Sequence, residues 1–193
     1  MFIIFFIILQ FIFVYSNIND IEPIIKFQET YENYINFIKK YDSKKDRWIY
    51  DIIDGYKEQD KIIFKNDILI VIPSITWNNN INKLHILAIS TDKSIRCLRE
   101  LNSSHIQLLE YVKKQTLAII LYKYNLTENN LKIFFHYDPS TYHIHIHFMN
   151  LKFRTMKSSV EYSHDINNVI FNLEIDTDYY KKINLNINRR QII

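Results

Sequence analysis

The sequence predicts an α+β fold, a mainly antiparallel sheet with flanking helices, on three observations. Strand-like and helix-like segments are interspersed along the chain without the strand–helix–strand repeat of a parallel sheet. Of the 193 residues, 48% are apolar and 15% aromatic, enough to build a core and unlike the composition of a disordered chain. Gly55 is the one glycine. Every fold built on a glycine-rich phosphate loop is therefore excluded, whether P-loop, dinucleotide fingerprint or kinase lid. If such a chain handles phosphates, side chains and ordinary backbone must do it.

The elements follow in chain order. Phe2 to Tyr15 is apolar but for Gln10. It is shorter than the roughly 20 residues of a membrane span. It matches the hydrophobic stretch of a secretory leader, with Val14-Tyr15-Ser16 as the cleavage site, although no basic residue precedes it. A buried first strand and a misassigned start are the alternatives. Residues 1–16 are accordingly set apart as a signal peptide or hydrophobic leader. Tyr31, Tyr34, Ile35 and Ile38 recur at helical spacing, predicting a helix over about 30–40. A second helix over 47–55 would bury Trp48, Ile49 and Ile52, with Gly55 as its C-terminal cap. Residues 61–64, 68–72 and 84–90 read as strands, the second stopped by Pro73. Ser104 and Gln107 form a capping-box pattern. It opens the longest helix, to about residue 124, with Ile106, Leu109, Val112, Leu117 and Ile120 on one face. Residues 131–137 and 142–151 are strands joined by Asp138-Pro139-Ser140-Thr141, a run of turn formers. A helix over 165–173 and a last strand over 182–187 complete the pattern.

Charge and cysteine remove further classes. Lys and Arg number 24 against 21 Asp and Glu, a net of +3, too mild to argue for duplex nucleic acid. The one cysteine, Cys97, excludes an intrachain disulfide and a Cys-rich zinc module. Ile and Asn are abundant and Ala is scarce, as extreme codon usage produces. Trp, His, Pro and Gly therefore carry more information than Ile-rich or Asn-rich runs.

Four of the seven histidines lie between His136 and His147. On a strand, His143, His145 and His147 share one face while Ile144, Ile146 and Phe148 turn into the core. With a four-residue turn, His136 falls opposite His143 on the same face. Three readings fit these residues: a half-buried strand whose polar face happens to be histidine, a zinc site, and nucleophilic catalysis at phosphorus by a neutral imidazole. In the third, flanking imidazoles stabilise phosphoryl oxygens where other folds use glycine-loop amides.

His143-Ile144-His145-Ile146-His147-Phe148-Met149 matches the histidine-triad pattern, His-apolar-His-apolar-His-apolar-apolar, throughout. The longer stretch His136-Tyr-Asp-Pro-Ser-Thr-Tyr-His143 resembles one branch, the scavenger mRNA-decapping enzymes (7-methylguanosine cap diphosphatases). So do Trp48-Ile-Tyr-Asp-Ile-Ile, Pro73-Ser-Ile-Thr-Trp77-Asn78 and Ser94-Ile-Arg-Cys-Leu-Arg-Glu-Leu101. The similarity runs in order from about residue 25 to 183. It implies a histidine-triad-like antiparallel sheet with flanking helices. Residues 73–193 would be the catalytic domain, and 17–72 a remnant of an N-terminal lid region with connecting helices.

By this resemblance His145 is the nucleophile that attacks the cap phosphate next to 7-methylguanosine. A covalent nucleotidyl-histidine follows, from which water frees 7-methyl-GMP. No metal or organic cofactor is implied. His136 and His147 match phosphate-contacting positions, His143 the supporting member of the triad, and Ser140 a phosphate-facing turn. Trp48 matches the position that stacks on the methylated base, and Glu58 a carboxylate that accepts from the guanine N–H edge. On the residues alone Trp48 also reads as a core aromatic, and Trp77 reads only as one.

Some positions depart from the family. Ser74 and Thr76 stand where it has an acidic and a basic residue, Thr141 where it has a tyrosine, and Tyr162 where it has an arginine. Most of its N-terminal domain, which exchanges strands between subunits and closes over the cap, has no counterpart before residue 25. Cap selectivity is expected to suffer more than chemistry. The implied partners are capped RNA fragments or a cap dinucleotide as substrate and a second copy in a homodimer, with no duplex DNA. A membrane enters only if residues 1–16 stay as an uncleaved anchor. The chemistry points to cytoplasm or nucleus, the hydrophobic leader to the secretory route. Rival readings are a general dinucleotide or phosphoramidate hydrolase and a cap- or nucleotide-binding relative without turnover.

Overall fold

The structure is a computed structural model that describes residues 24–155 and 162–190. In chain order the elements are β1 (Ile24–Glu29), α1 (Tyr31–Ile38), α2 (Arg47–Ile53), β2 (Phe64–Lys65), β3 (Leu69–Pro73) and β4 (His85–Ser90), followed by α3 (Ile106–Tyr124), β5 (Leu131–His136), β6 (His145–Asn150), β7 (Ser163–Asp165), α4 (Ile166–Ile175), α5 (Tyr179–Lys182) and β8 (Leu185–Arg190). Six strands form one sheet in the order β2-β3-β4-β6-β5-β7, every neighbouring pair antiparallel. The α+β architecture is the one the sequence predicts. The leader read at residues 2–15 lies outside the described residues. Among those described, no helix is long and apolar enough to cross a membrane.

Alternation along the strands gives the sheet two unlike faces. Val71, Ile86, Ala88, Ile133, Phe135, Ile146 and Phe148 turn to one side and join Leu109, Val112 and Ile120 of α3 in the main core. Ile70, Ile72, Leu87 and Ile89 turn to the other, where Ile49 and Ile52 of α2 join their buried cluster and Tyr50, Ile53 and Ile62 pack against it. Each fully buried isoleucine contributes roughly 1.5–3 kcal/mol. That holds α2 over one end of this face and leaves the rest of it for polar side chains. His145 and His147 lie there, because they alternate with Ile146 and Phe148 on β6.

Helix ends follow their residues. Thr30 caps α1, its Oγ1 accepting from Asn33 N–H at 3.1 Å. After α2, Gly55 sits at φ +89°. There Tyr56 N–H reaches Asp51 O at 2.8 Å and Gly55 N–H reaches Ile52 O at 3.2 Å, the paired bonds of a left-handed helix stop. α3 differs from expectation at its start. The reciprocal box is Asn102 with His105, not Ser104 with Gln107, and closes a one-turn segment directly ahead of α3. The amide of Asn102 outcompetes the hydroxyl of Ser104, which itself donates to Asn102 Oδ1 at 2.6 Å.

Further expectations change. Residues 59–61 form a single 3₁₀ turn entered through Glu58 at φ 54°, and the strand that follows is β2 alone. Trp48 is 41% exposed rather than buried beside Ile49 and Ile52. The β5–β6 register pairs Phe134 with His147 and Ile133 with Phe148, so His136 runs toward His145 and not His143. The connection spans residues 137–144, longer than a four-residue turn, because residues 142–144 leave the ladder. Finally, β1 and β8 form a separate two-stranded sheet from opposite ends of the described chain. The boundary drawn between residues 72 and 73 falls inside β3, with strands of one sheet on either side.

Candidate active site

A cavity of about 520 Å³ opens on the histidine face. His85, His136, His145 and His147 line it, with Trp48 and Glu58, Ser74 and Thr76, and Ser140 and Thr141 among its other walls. Six of the seven residues singled out from sequence therefore meet here: Trp48, Glu58, His136, Ser140, His145 and His147. His143 does not. It is 1% exposed, its ring edge-on to Tyr50 of α2 with centroids 5.4 Å apart, and its Nε2 donates to Ser90 O at 2.7 Å. Leaving the strand ladder turned this ring under α2 rather than into the cavity.

His143 nonetheless acts on the site through its backbone. Its carbonyl oxygen lies 2.7 Å from Nδ1 of His145. A carbonyl only accepts, so Nδ1 carries the proton and the neutral ring keeps its lone pair on Nε2. Burial pushes the pKa of His145 below 6.5, with the His143 carbonyl and Asp46 pulling weakly the other way. The neutral, nucleophilic form is thus favoured near pH 7.

His147, 6% exposed, is the hub of the face. Its ring centroid is 4.1 Å from His136, 5.0 Å from His145 and 5.2 Å from both His85 and Phe134. His85 lies on a strand that the sequence predicts but is not among the site residues that the sequence singles out. It stands two residues before Leu87 on the face that alternation gives to β4, and that spacing is the signal that marks it. Burial first, then the neighbouring His136 and His145, push its pKa down to about 4. The rim is pinned from α2. Trp48 Nε1 donates to Thr141 Oγ1 at 3.2 Å. The buried carboxylate of Asp46, just before α2, accepts from Tyr142 N–H at 3.0 Å and Tyr41 OH at 2.9 Å. Glu58 reaches Lys61 Nζ at 3.4 Å.

The positions that depart from the family also find places. Ser74, Thr76 and Thr141 line the cavity with hydroxyls. Tyr162 gives its carbonyl to Tyr137 N–H at 2.9 Å and is not among the described lining residues. Trp77 packs partly against the core, edge-on to Tyr124 at 5.5 Å, away from the cavity. Among the described residues no group of three or more His, Cys, Asp or Glu is placed to hold a metal ion.

An antiparallel sheet whose inner strand turns alternate histidines to a cavity, with the middle imidazole's proton fixed by a backbone carbonyl, has the build of a histidine-triad protein. Residues 47–163 match the family model described as "Scavenger mRNA decapping enzyme C-term binding", and the chain belongs to that family. It is 37% identical over 141 residues to the m7GpppX diphosphatase of Rattus norvegicus, covering 70% of this chain and 42% of that protein. It is 31% identical over 159 residues to the m7GpppX diphosphatase of Caenorhabditis elegans, covering 80% and 51%. The chain thus spans about half the length, or less, of these relatives. Among solved structures it is similar to the aprataxin ortholog Hnt3 from Schizosaccharomyces pombe, with a TM-score of 0.48 and 16% identity over 64% of this chain and 71% of that one.

Proposed function

We propose that this chain cleaves the triphosphate bridge of 7-methylguanosine caps, on free cap dinucleotides or short capped RNA fragments. The carrying observation is the 2.7 Å contact from the His143 carbonyl to Nδ1 of His145, which leaves a neutral Nε2 lone pair at the cavity. That lone pair attacks the phosphorus next to 7-methylguanosine. The bridging P–O bond breaks, and the rest of the cap leaves with a diphosphate end. Water then attacks the same phosphorus and the P–N bond breaks, releasing 7-methyl-GMP. His136 and His147 face the phosphates, Ser140 contributes its hydroxyl, and the His143 carbonyl supports the nucleophile. The methylated guanine is cationic. Stacked on Trp48 it gains roughly 0.5–2 kcal/mol, with Glu58 accepting from its N–H edge. The step needs no metal or organic cofactor.

Incubating the protein with methylated cap dinucleotide and identifying the products tests this function. His145→Ala is expected to lose turnover by a factor of about 10³ or more. Cleavage at the wild-type rate removes His145 as nucleophile. Hydroxyls at Ser74 and Thr76, where the family carries charges, favour one second reading, a hydrolase indifferent to the methyl group. Equal rates on methylated and unmethylated dinucleotides would select it. The same function implies a homodimer working in cytoplasm or nucleus. Sedimentation gives the mass of the assembly, and mass spectrometry of the native N-terminus shows whether residues 1–16 are removed, which would point to the secretory route.

A further inference from the structure

We propose that His85 is a positioning residue of the histidine site, holding His147 in one tautomer through an imidazole–imidazole hydrogen bond that continues to the hydroxyls of Thr76 and Ser74. The β4–β6 register sets Leu87 opposite His147 and His85 opposite Met149, so His85 is one diagonal step from His147 on the same face. Nε2 of His85 lies 2.9 Å from Nδ1 of His147, with the rings tilted by 33°. On its far side, Nδ1 of His85 is 3.3 Å from Thr76 Oγ1, and that oxygen is 3.0 Å from Ser74 Oγ. Among the described residues, the titratable groups facing His85 are His136 from β5 and His145 and His147 from β6. The ring of Phe153, 6.5 Å away, adds no charge.

With its pKa near 4, His85 is neutral at pH 7 and has one N–H and one lone pair. Of the two nitrogens that face each other, one carries the hydrogen. The phosphate role assigned to His147 in the proposed function settles which, because phosphate oxygens only accept. His147 must offer N–H from Nε2, so its Nδ1 accepts from His85 Nε2–H. Nδ1 of His85 then accepts from the Thr76 hydroxyl, whose oxygen accepts from Ser74. Ser74 Oγ in turn lies 3.4 Å from the Thr76 backbone nitrogen and accepts from its N–H, so every member of the chain gives one hydrogen and takes one. Ser74 and Thr76, which lack the charges of the family, thereby orient a histidine instead of touching substrate directly.

The choice of tautomer rests on the cap reading, so the experiment separates the two. Protein labelled with ¹⁵N-histidine is examined by NMR as wild type, His85→Phe and Thr76→Val, and each is assayed on cap dinucleotide. In the wild type His147 is expected to show a protonated Nε2 and an unprotonated Nδ1. In His85→Phe its two nitrogen shifts should converge as the tautomers exchange. The same variant should lower kcat by about tenfold, as loss of a histidine's outer partner does, with KM changed less than about twofold. Thr76→Val should loosen the tautomer of His85 itself, and this arm stands even if His85→Phe does not fold. Unchanged His147 shifts in His85→Phe, unchanged His85 shifts in Thr76→Val, or a wild-type His147 protonated on Nδ1 each overturn the proposal. If the wild type cleaves no cap, the cap assignment falls and the nitrogen shifts alone decide on His85.

Discussion

The carbonyl of His143, 2.7 Å from Nδ1 of His145, shows how one triad member serves the site without lining it. Its side chain is anchored elsewhere, on Ser90 O and Tyr50, and that anchorage aims the carbonyl. Trp48 works from its side chain. An indole 41% exposed, with its N–H tied to Thr141, leaves the ring face available to a ligand. Trp48→Leu is expected to raise KM for methylated cap by roughly 2- to 30-fold, the equivalent of 0.5–2 kcal/mol of cation–π attraction. Unmethylated dinucleotide should be much less affected. Paired kinetics on the two substrates measure this, and an equal loss on both would mean that Trp48 only packs.

At the scale of elements, α2 and the turn after it carry one wall of the cavity. Ile49 and Ile52 bind the helix to β3 and β4, which leaves Trp48 on the open side. Gly55 then reverses the chain so that Glu58, ten residues after Trp48, comes back to the same cavity. An added Cβ at Gly55 would meet only Gln59 Oε1, at 3.9 Å, so crowding is not the obstacle there. The backbone at φ +89° is. Gly55→Ala is expected to cost about 1–2 kcal/mol and to lower the urea midpoint. It should also weaken binding of 7-methyl-GMP by displacing Glu58 relative to Trp48. Unchanged stability would mean that the turn relaxes to another conformation at no cost.

Across the whole molecule, a buried polar cluster around Arg99 locks distant segments together. Arg99, fully buried, donates to the carbonyls of Tyr180, Ile183 and Glu29 at 2.8, 2.7 and 2.6 Å. It also pairs with the Glu29 carboxylate at 3.4 Å, to which Tyr137 OH donates. That cluster joins β1, α5 and the residue that follows it, and the loop leading to the triad. The histidines make stability depend on pH. Burial holds His85 and His164 at about 4, against 6.5 for an ordinary imidazole, and also lowers His143 and His145. Between pH 6.5 and 4 the unfolded chain binds protons that the folded one does not. The stabilisation is therefore complete above about pH 6.5, falls as pH decreases toward 4, and levels off below. The loss from His85 and His164 is on the order of 3 kcal/mol each. Urea midpoints measured across that range check it, and a flat profile would mean that these rings take up protons in the folded state.

Short-range pattern was enough for much of this. Alternation along 143–148 sent Ile144, Ile146 and Phe148 into the core and His145 and His147 to the opposite face. Helical spacing located α1, α2 and α3, because periodicity is a property of one segment and needs no partner. Contacts between distant residues settled the rest. His136 runs toward His145 because the 137–144 connection is held by Asp46 and by the Arg99 cluster, 96 residues and 38 residues away in the chain. β1 exists as a strand only because β8 pairs with it. His85 became part of the site only through the order of strands that sets β4 beside β6. Register and strand order depend on which distant backbones pair, and that free energy is shared over the whole sheet rather than written into any one of its strands.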